Sequence, residues 1–369
     1  MQMSMRTIVL LSWLLLLAAT NGAHARPLRP GFEKAEYVEL LRLHARTADT
    51  TFFGKIPRPT RFRMAYRSPV VGLDNRWDLW TSPDSVAVLS IRGTTQNSAS
   101  WLANFYAAML PATGSLVLSP TRTFPYALAA NPKAAVHAGW LLSMAYLADD
   151  IVAKLDSCHR RGIRDVLIMG HSQGGGISFL LTSYLRSLQQ QQQLPRDIRF
   201  KTYCSAGPKP GNLYYAYDYE FQTQGPNGGW GFNVVNSADW VPEVPFSIQT
   251  VNDFNQTNPF TGAKATIGKQ KLPQRLVLGH VYNRLDRPTR KAQKIFQNYL
   301  GTLVSKQVRK QLPEYQPSPY YPSSNYMRTG RPIILLADAA YYQQFPDEEG
   351  KVFRHHLFEP YYLLAQRLL

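Results

Sequence analysis

The sequence predicts an α/β fold with a mostly parallel central sheet covered by helices on both faces. Three observations lead there. Short strand-like runs, "SVAVLSIRG", "RDVLIMG", "IRFKTYCSAG" and "GWGFNVVNSADW", alternate with runs of helical periodicity. The lengths of these alternating units suit strands joined by crossover helices. One strand-to-helix junction, "GHSQGGG", sets a serine among four glycines.

The elements follow in order. Arg6, the apolar run "IVLLSWLLLLAA" and Ala23-His24-Ala25 read as a secretory signal peptide over residues 1–25, cleaved before Arg26. The mature protein is therefore expected to be exported, either secreted or held in the periplasm or cell envelope. The apolar core is short of the ~20 residues that a span needs, and no later segment is long and apolar enough to serve. Residues 26–369 read as one domain. "FEKAEYVELLRLHARTA" has the apolar spacing of an amphipathic helix, and "RWDLWT" and "SVAVLSIRG" are strands separated by Ser82-Pro83-Asp84. Residues 109–132 carry prolines, a glycine and many apolar side chains without clear period, which predicts a long loop acting as a lid. "AAVHAGWLLSMAYLADDIVAKLDSCHRRG" returns to helical spacing and stops at Gly162, and "RDVLIMG" and "GGGISFLLTSYLRSLQQ" are a buried strand and its helix. Residues of about 246–325 read as an insertion containing a basic helix, "PTRKAQKIFQNYLGTLVSKQVRKQL". The strand "RPIILLAD" and the helix "FEPYYLLAQRLL" then resume the main pattern.

Composition excludes several classes. The formal charge is +17, but Lys and Arg are read as spread along the chain rather than gathered with an RNA-binding aromatic motif. A basic surface attracted to anionic membranes or envelope polymers is expected instead of a nucleic-acid partner. Two cysteines, Cys158 and Cys204, exclude a disulfide scaffold, although export permits one bridge. Neither a His-Glu-x-x-His metal cluster nor a dinucleotide-binding glycine fingerprint is present, so no metal and no cofactor are expected.

Chemistry concentrates at Gly170-His171-Ser172-Gln173-Gly174. The turn from strand to helix here is tight enough that side chains two residues either side of Ser172 would clash, and glycine removes them. Helix-starting glycines cost about 1 kcal/mol each relative to alanine, which close backbone approach explains. A serine held there becomes a nucleophile once an imidazole takes its proton, and the backbone N–H of Gln173 is placed to stabilise an oxyanion. His171, just before Ser172, is read as a side chain of the elbow rather than the base, since adjacency in sequence points it away from Ser172.

"SVAVLSIRGTTQNSASWLANF", "AVHAGW", "IMGHSQGGG", "YCSAGPKPGN" and "VVNSADWVPEVP" resemble, in this order, the motifs of class 3 lipases. That resemblance covers roughly residues 30–245 and the C-terminal end. It implies an α/β-hydrolase fold and an exported lipase or esterase working through an acyl-enzyme, with lipid or other acyl esters as substrate and a lipid surface as contact. It makes Ser172 the nucleophile, Thr94 the second oxyanion donor beside Gln173, and Asp239 the triad acid. The base lies further on: His356 begins "HLFEPYY", similar to the family's terminal histidine segment, with His355 and His280 as alternatives. His137 in "VHAG" is read as structural. Two other readings keep the fold: a phospholipase or polar acyl esterase, and a non-catalytic exported binding protein using the tyrosine-rich "PEYQPSPYYPSSNY" as its contact surface.

Overall fold

The computed structural model describes residues 28–47, 56–225 and 228–368, so the expected signal peptide lies outside it. Helix α1 (Lys34–His44) precedes strands β1 (Arg63–Arg67), β2 (Trp77–Thr81) and β3 (Val86–Ile91). Helix α2 (Ser98–Phe105) leads to β4 (Met109–Pro111), the hairpin of β5 (Thr113–Ser119) and β6 (Arg122–Ala127), and β7 (Ala135–His137). Helix α3 (Ala138–Arg160), strand β8 (Asp165–His171), helix α4 (Gln173–Gln190) and strand β9 (Arg199–Ser205) form the centre. After β10 (Gly211–Asn212), α5 (Leu213–Thr223) and β11 (Gly231–Asn236) come α6 (Ala263–Gly268), α7 (Leu272–Gln297) and α8 (Val304–Gln311). The chain closes with β12 (Tyr326–Met327), β13 (Arg331–Leu335), α9 (Ala339–Gln344) and α10 (Phe358–Arg367).

The main sheet has the order β1-β2-β3-β8-β9-β11-β13. From β3 to β13 every neighbouring pair is parallel, while β1 and β2 run antiparallel at one edge. This is the mostly parallel α/β-hydrolase sheet that the sequence predicts, with helices on both faces. Alternate side chains of one strand enter opposite cores: Leu89 and Ile168 pack with α3 and α4, whereas Val88, Leu167 and Met169 pack with α1 and α10. Both faces are dry, which is why the central strands read as apolar runs. A second, four-stranded sheet has the order β12-β10-β7-β4.

Helix α1 is tied to the sheet by a buried ion pair. Lys201 on β9 meets Glu36 at 2.8 Å, and Tyr203 donates to the same carboxylate at 2.8 Å. Cys158 and Cys204 are separate, buried thiols.

Two expectations fail. The lid expected over 109–132 is instead the β5–β6 hairpin, and its apolar side chains belong to the main core: Leu116, Leu118, Phe124, Tyr126 and Leu128 are all buried, with Phe124 lying 5.1 Å from the Tyr184 ring. The residues between them, Val117, Pro125 and Ala127, are small or partly covered, so the large apolar side chains of this segment are already committed to the core. The tyrosine-rich segment is likewise interior rather than a contact surface. Tyr315 and Tyr320 pack edge-on against Tyr106, and the buried Tyr326 donates to Ala107 O at 2.6 Å. The hairpin's position in the core gives a direct measurement: Leu116→Ala is expected to lower the unfolding free energy in urea by about 2–5 kcal/mol, as cavity-forming core substitutions do. A hinged lid would tolerate the change with little loss.

Candidate active site

The site is built on the junction between β8 and α4. Ser172 sits there at φ 61° and ψ −131°, outside the regions that most side chains occupy. Two close approaches hold it. A Cβ on Gly170 would overlap the Gly174 carbonyl, and one on Gly174 would overlap the Ile91 carbonyl of β3. The Ser172 N–H donates to Ser205 O at 3.0 Å, so the turn is pinned to β9 as well. The N–H of Gln173 lies in the first turn of α4, where helix geometry supplies no carbonyl partner and the dipole is positive.

Thr94 reaches the same place from β3. The backbone of Gly93 runs against the turn, and a Cβ added there would stand 3.6 Å from the Ser172 Cβ. Asn104 on α2 donates to Thr94 Oγ1 at 2.8 Å and accepts from Trp140 Nε1 at 3.1 Å. Gln173 Nε2 donates to Ser100 O at 3.0 Å, so α2 is fastened to both loops. These contacts fix the Thr94 and Gln173 backbones relative to each other without using either N–H.

Asp239 and His356 are brought together. His356 Nδ1 lies 2.7 Å from Asp239 Oδ2 and must donate, because the carboxylate only accepts. The bond leaves Nε2 with a lone pair in the neutral ring. The carboxylate accepts two further bonds: Tyr361 donates to Oδ2 at 2.8 Å and the Val241 N–H to Oδ1 at 3.0 Å. Both residues are buried, which removes competing water from the pair. The two alternatives go elsewhere. His355 spends both ring nitrogens on Tyr341 at 2.7 Å and Asp347 at 2.9 Å, and His280 is exposed on α7.

Sequence reading missed a chain of hydrogen bonds beneath this pair. His171 Nε2 lies 2.8 Å from His356 O and must donate to it. Its Nδ1 then accepts from Ser205 at 3.0 Å, and Ser205 in turn accepts from Tyr37 of α1 at 2.7 Å. The residue next to Ser172 thus holds the main chain of His356 in place. Burial pushes the His171 pKa well below its ordinary value, and the neighbouring His356 and His44 add to the effect. Ser205 lies in the "YCSAG" motif and Tyr361 in "HLFEPYY", so the sequence did mark both, without their roles. Nothing in the sequence marked Tyr37.

Around the pair is a rim of aromatic rings. Phe353 lies 6.0 Å from His356, and Trp240 and Trp101 flank Phe353 at 5.4 and 6.1 Å. Trp101 also stacks on Phe105, which is half exposed. His137 is a structural histidine: it is buried, stacks on Trp140 at 3.6 Å and donates from Nε2 to Asn104 O at 3.2 Å.

A strained serine between a parallel strand and a buried helix, beside a carboxylate–imidazole pair, is the arrangement of a serine hydrolase. Residues 88–249 match the class 3 lipase family. This stretch, from β3 to the loop after β11, is similar to the class 3 lipases over the part of the chain that carries the serine turn and Asp239. The match includes Thr94, Ser172 and Asp239 and ends before His356. Among solved structures, a fungal lipase in complex with an inhibitor is 19% identical, covers 57% of this chain and 74% of its own, and superposes with a TM-score of 0.44. The triacylglyceride lipase of Rhizomucor miehei is 18% identical over 59% of this chain and 77% of its own, with a TM-score of 0.42. A triacylglycerol lipase of Penicillium expansum is 17% identical over 58% and 74%, with a TM-score of 0.41. No curated protein matches the chain. The matched region makes the protein a carboxylic ester hydrolase, and the substrates of the matched family are lipid esters.

Three buried histidines make the fold of this hydrolase sensitive to acid. Burial lowers the pKa of His44 to about 3, burial lowers that of His137 to about 3, and that of His171 is well below normal. The folded state refuses protons that the unfolded chain accepts below about pH 6.5, so stability is whole above that pH and is lost as pH falls. Each ring contributes about 1.4 kcal/mol per pH unit, continuing down to its folded pKa. Unfolding free energies measured in urea between pH 6 and 4 are expected to fall with a slope approaching about 4 kcal/mol per unit from these rings together. His44→Asn should reduce that slope by about one third.

Proposed function

We propose that the chain is an exported serine lipase whose catalytic triad is Ser172, His356 and Asp239. The observation that carries this reading is the 2.7 Å Asp239–His356 bond beside the strained Ser172 turn. In the reaction, His356 Nε2 takes the Ser172 hydroxyl proton as Oγ attacks the ester carbonyl carbon. The carbonyl oxygen becomes an oxyanion held by the backbone N–H groups of Gln173 and Thr94. Asp239 keeps the His356 proton on Nδ1 and stabilises the imidazolium. Collapse of the tetrahedral species breaks the bond to the alcohol, which leaves with the proton from Nε2. Water then gives a proton to Nε2 and attacks the acyl-enzyme, and the fatty acid departs as Ser172 recovers its proton. The aromatic rim of Trp101, Phe105, Trp240 and Phe353 suits an acyl chain.

The expected kinetics follow. Ser172→Ala and His356→Ala should each lower turnover of a soluble p-nitrophenyl ester by about 10⁴-fold or more, because triad members act as a unit. His355→Ala, which removes a ring bonded to Tyr341 and Asp347, should be much milder. Equal and modest losses in the two histidine variants would sink the assignment of His356 as base.

Export is the second part of the proposal, and it rests on the N-terminal sequence alone. Cleavage after Ala25 would leave Arg26 as the first residue. N-terminal sequencing of protein recovered from outside the cytoplasm should read Arg26-Pro27-Leu28; recovery of an intact Met1 end from that fraction would contradict it.

A further inference from the structure

The insertion carries a surface that the catalytic reading leaves unused. Helix α7, a π-helical segment over Asn298–Leu303 and helix α8 form one uninterrupted helical run. Its C-terminal part is anchored. The wider turn lets Leu300 O accept from Ala108 N–H at 3.0 Å, Gly301 sits where any Cβ would press on Ala108, and Val308 is buried. Its N-terminal part stands away from the body, with the short α6 beside it.

An apolar stripe follows this run. Val277, Val281, Leu285, Ile295, Tyr299 and Leu303 recur at helical intervals and are between 46% and 69% exposed. Pro288 and Ala292 continue the line between Leu285 and Ile295. From end to end the stripe is about 40 Å long. Soluble proteins rarely leave so continuous an apolar surface uncovered.

The charge has the same location. Residues 263–311 contain twelve Lys and Arg and a single Asp, a net +11 of the chain's formal +17. The one acid, Asp286, is buried and paired with Arg290. The expectation that basic residues are spread along the chain therefore gives way to a concentration on this arm. At 100° per residue, Arg284, Arg287 and Lys291 fall along one flank of the stripe.

We propose that this helical arm docks the lipase on an anionic lipid surface. It lies in the plane of the interface, with the stripe among the acyl chains and the basic flank on the headgroup phosphates. The inference takes its purpose from the lipase reading, since it names the surface on which the ester is met. A second copy of the chain is disfavoured as the occupant, because pairing two such arms would bring +11 against +11. A nucleic acid would use the charge and leave the stripe in water. The arm does not cross the bilayer, for among the described residues no helix is long and apolar enough. Its anchored end packs on α2, which carries Trp101 of the catalytic rim, so the docking surface and the site are mechanically joined.

The test uses the full chain carrying Ser172→Ala, so that binding is read without hydrolysis. Vesicles of phosphatidylcholine, alone or with about 30% phosphatidylglycerol, are floated with the protein at low and moderate salt. Binding is expected on the mixed vesicles and to weaken with salt. It should fall about tenfold or more in Val281→Asp/Leu285→Asp and also in Arg284→Gln/Lys291→Gln. Val70→Asp, at an exposed apolar residue outside the arm, should bind as the parent does. A polarity-sensitive dye on Val281→Cys should shift to the blue when the mixed vesicles are added, which reads insertion without a destabilising charge. Three results would overturn the proposal: vesicle binding unaffected by the aspartate pair, binding lost only with the cationic pair while the dye stays in water, or stripe variants that change the sedimentation mass and not the binding. Turnover of a soluble ester by the wild-type chain reports on the catalytic reading separately, so the two can fail independently.

Discussion

The contact between β8 and α4 at Gly170 and Gly174 leaves no room for a single Cβ, and the geometry of the site follows from it. Because the strand and helix backbones touch, the chain must reverse within one residue, and Ser172 takes the strained conformation that results. The same contact places the start of α4 against the ends of β3 and β9. That brings the Gln173 N–H, the Thr94 loop and the Ser205 carbonyl to one point. The strain is carried by packing: α4 is buried over nearly its whole length between the sheet and α3. Local cost at the turn, roughly 1–3 kcal/mol for such a backbone conformation, is small beside what the surrounding core contributes.

The imidazole at this point is assembled from distant parts of the chain. Asp239 comes from the loop after β11, His356 and Tyr361 from the C-terminal region, His171 and Ser205 from the central strands, and Tyr37 from the first described helix. Tyr37, Ser205, His171 and the His356 carbonyl form a single file in which each donor direction is dictated by the next acceptor. A protonated His171 would donate from both nitrogens and reverse the Ser205 bond, so burial that keeps this ring neutral also keeps the file aligned. The ion pair of Lys201 with Glu36 has a place in this scheme, since it fixes α1 and therefore Tyr37.

Much of this was legible in the sequence where local chemistry and global fold agree. The strand "RDVLIMG" and the helix after the serine appear where their patterns put them, because both sheet faces are buried there, and "RPIILLAD" appears as the largely exposed edge strand β13. The glycines around Ser172, the Asp239 segment and the histidine of "HLFEPYY" were visible as motifs, whereas the link from His171 to His356 was not, since it joins residues 185 positions apart. The hairpin was misread for a physical reason. Leu116 and Leu118 alternate, as do Phe124 and Tyr126, but Pro125 within β6 and the prolines flanking the hairpin obscured a period of two. Pro288 had a similar effect in the insertion: it suggested a helix start, yet the helix begins at Leu272 and runs through it.

The π-helical turn at Asn298–Leu303 does more than free the Leu300 carbonyl for Ala108. A π turn holds one residue more than an α turn, so it offsets the angular phase of everything before it relative to everything after it. The anchored side presents Val308 to the core, while the outer side presents Val281 and Leu285 to solvent. Which way the arm faces is thus encoded in chain length rather than in side-chain identity. Loss of one residue from this turn would regularise the helix and rotate its outer part by about 100° against a body that stays in place. Composition would be almost unaltered, yet the stripe and the basic flank would point in new directions.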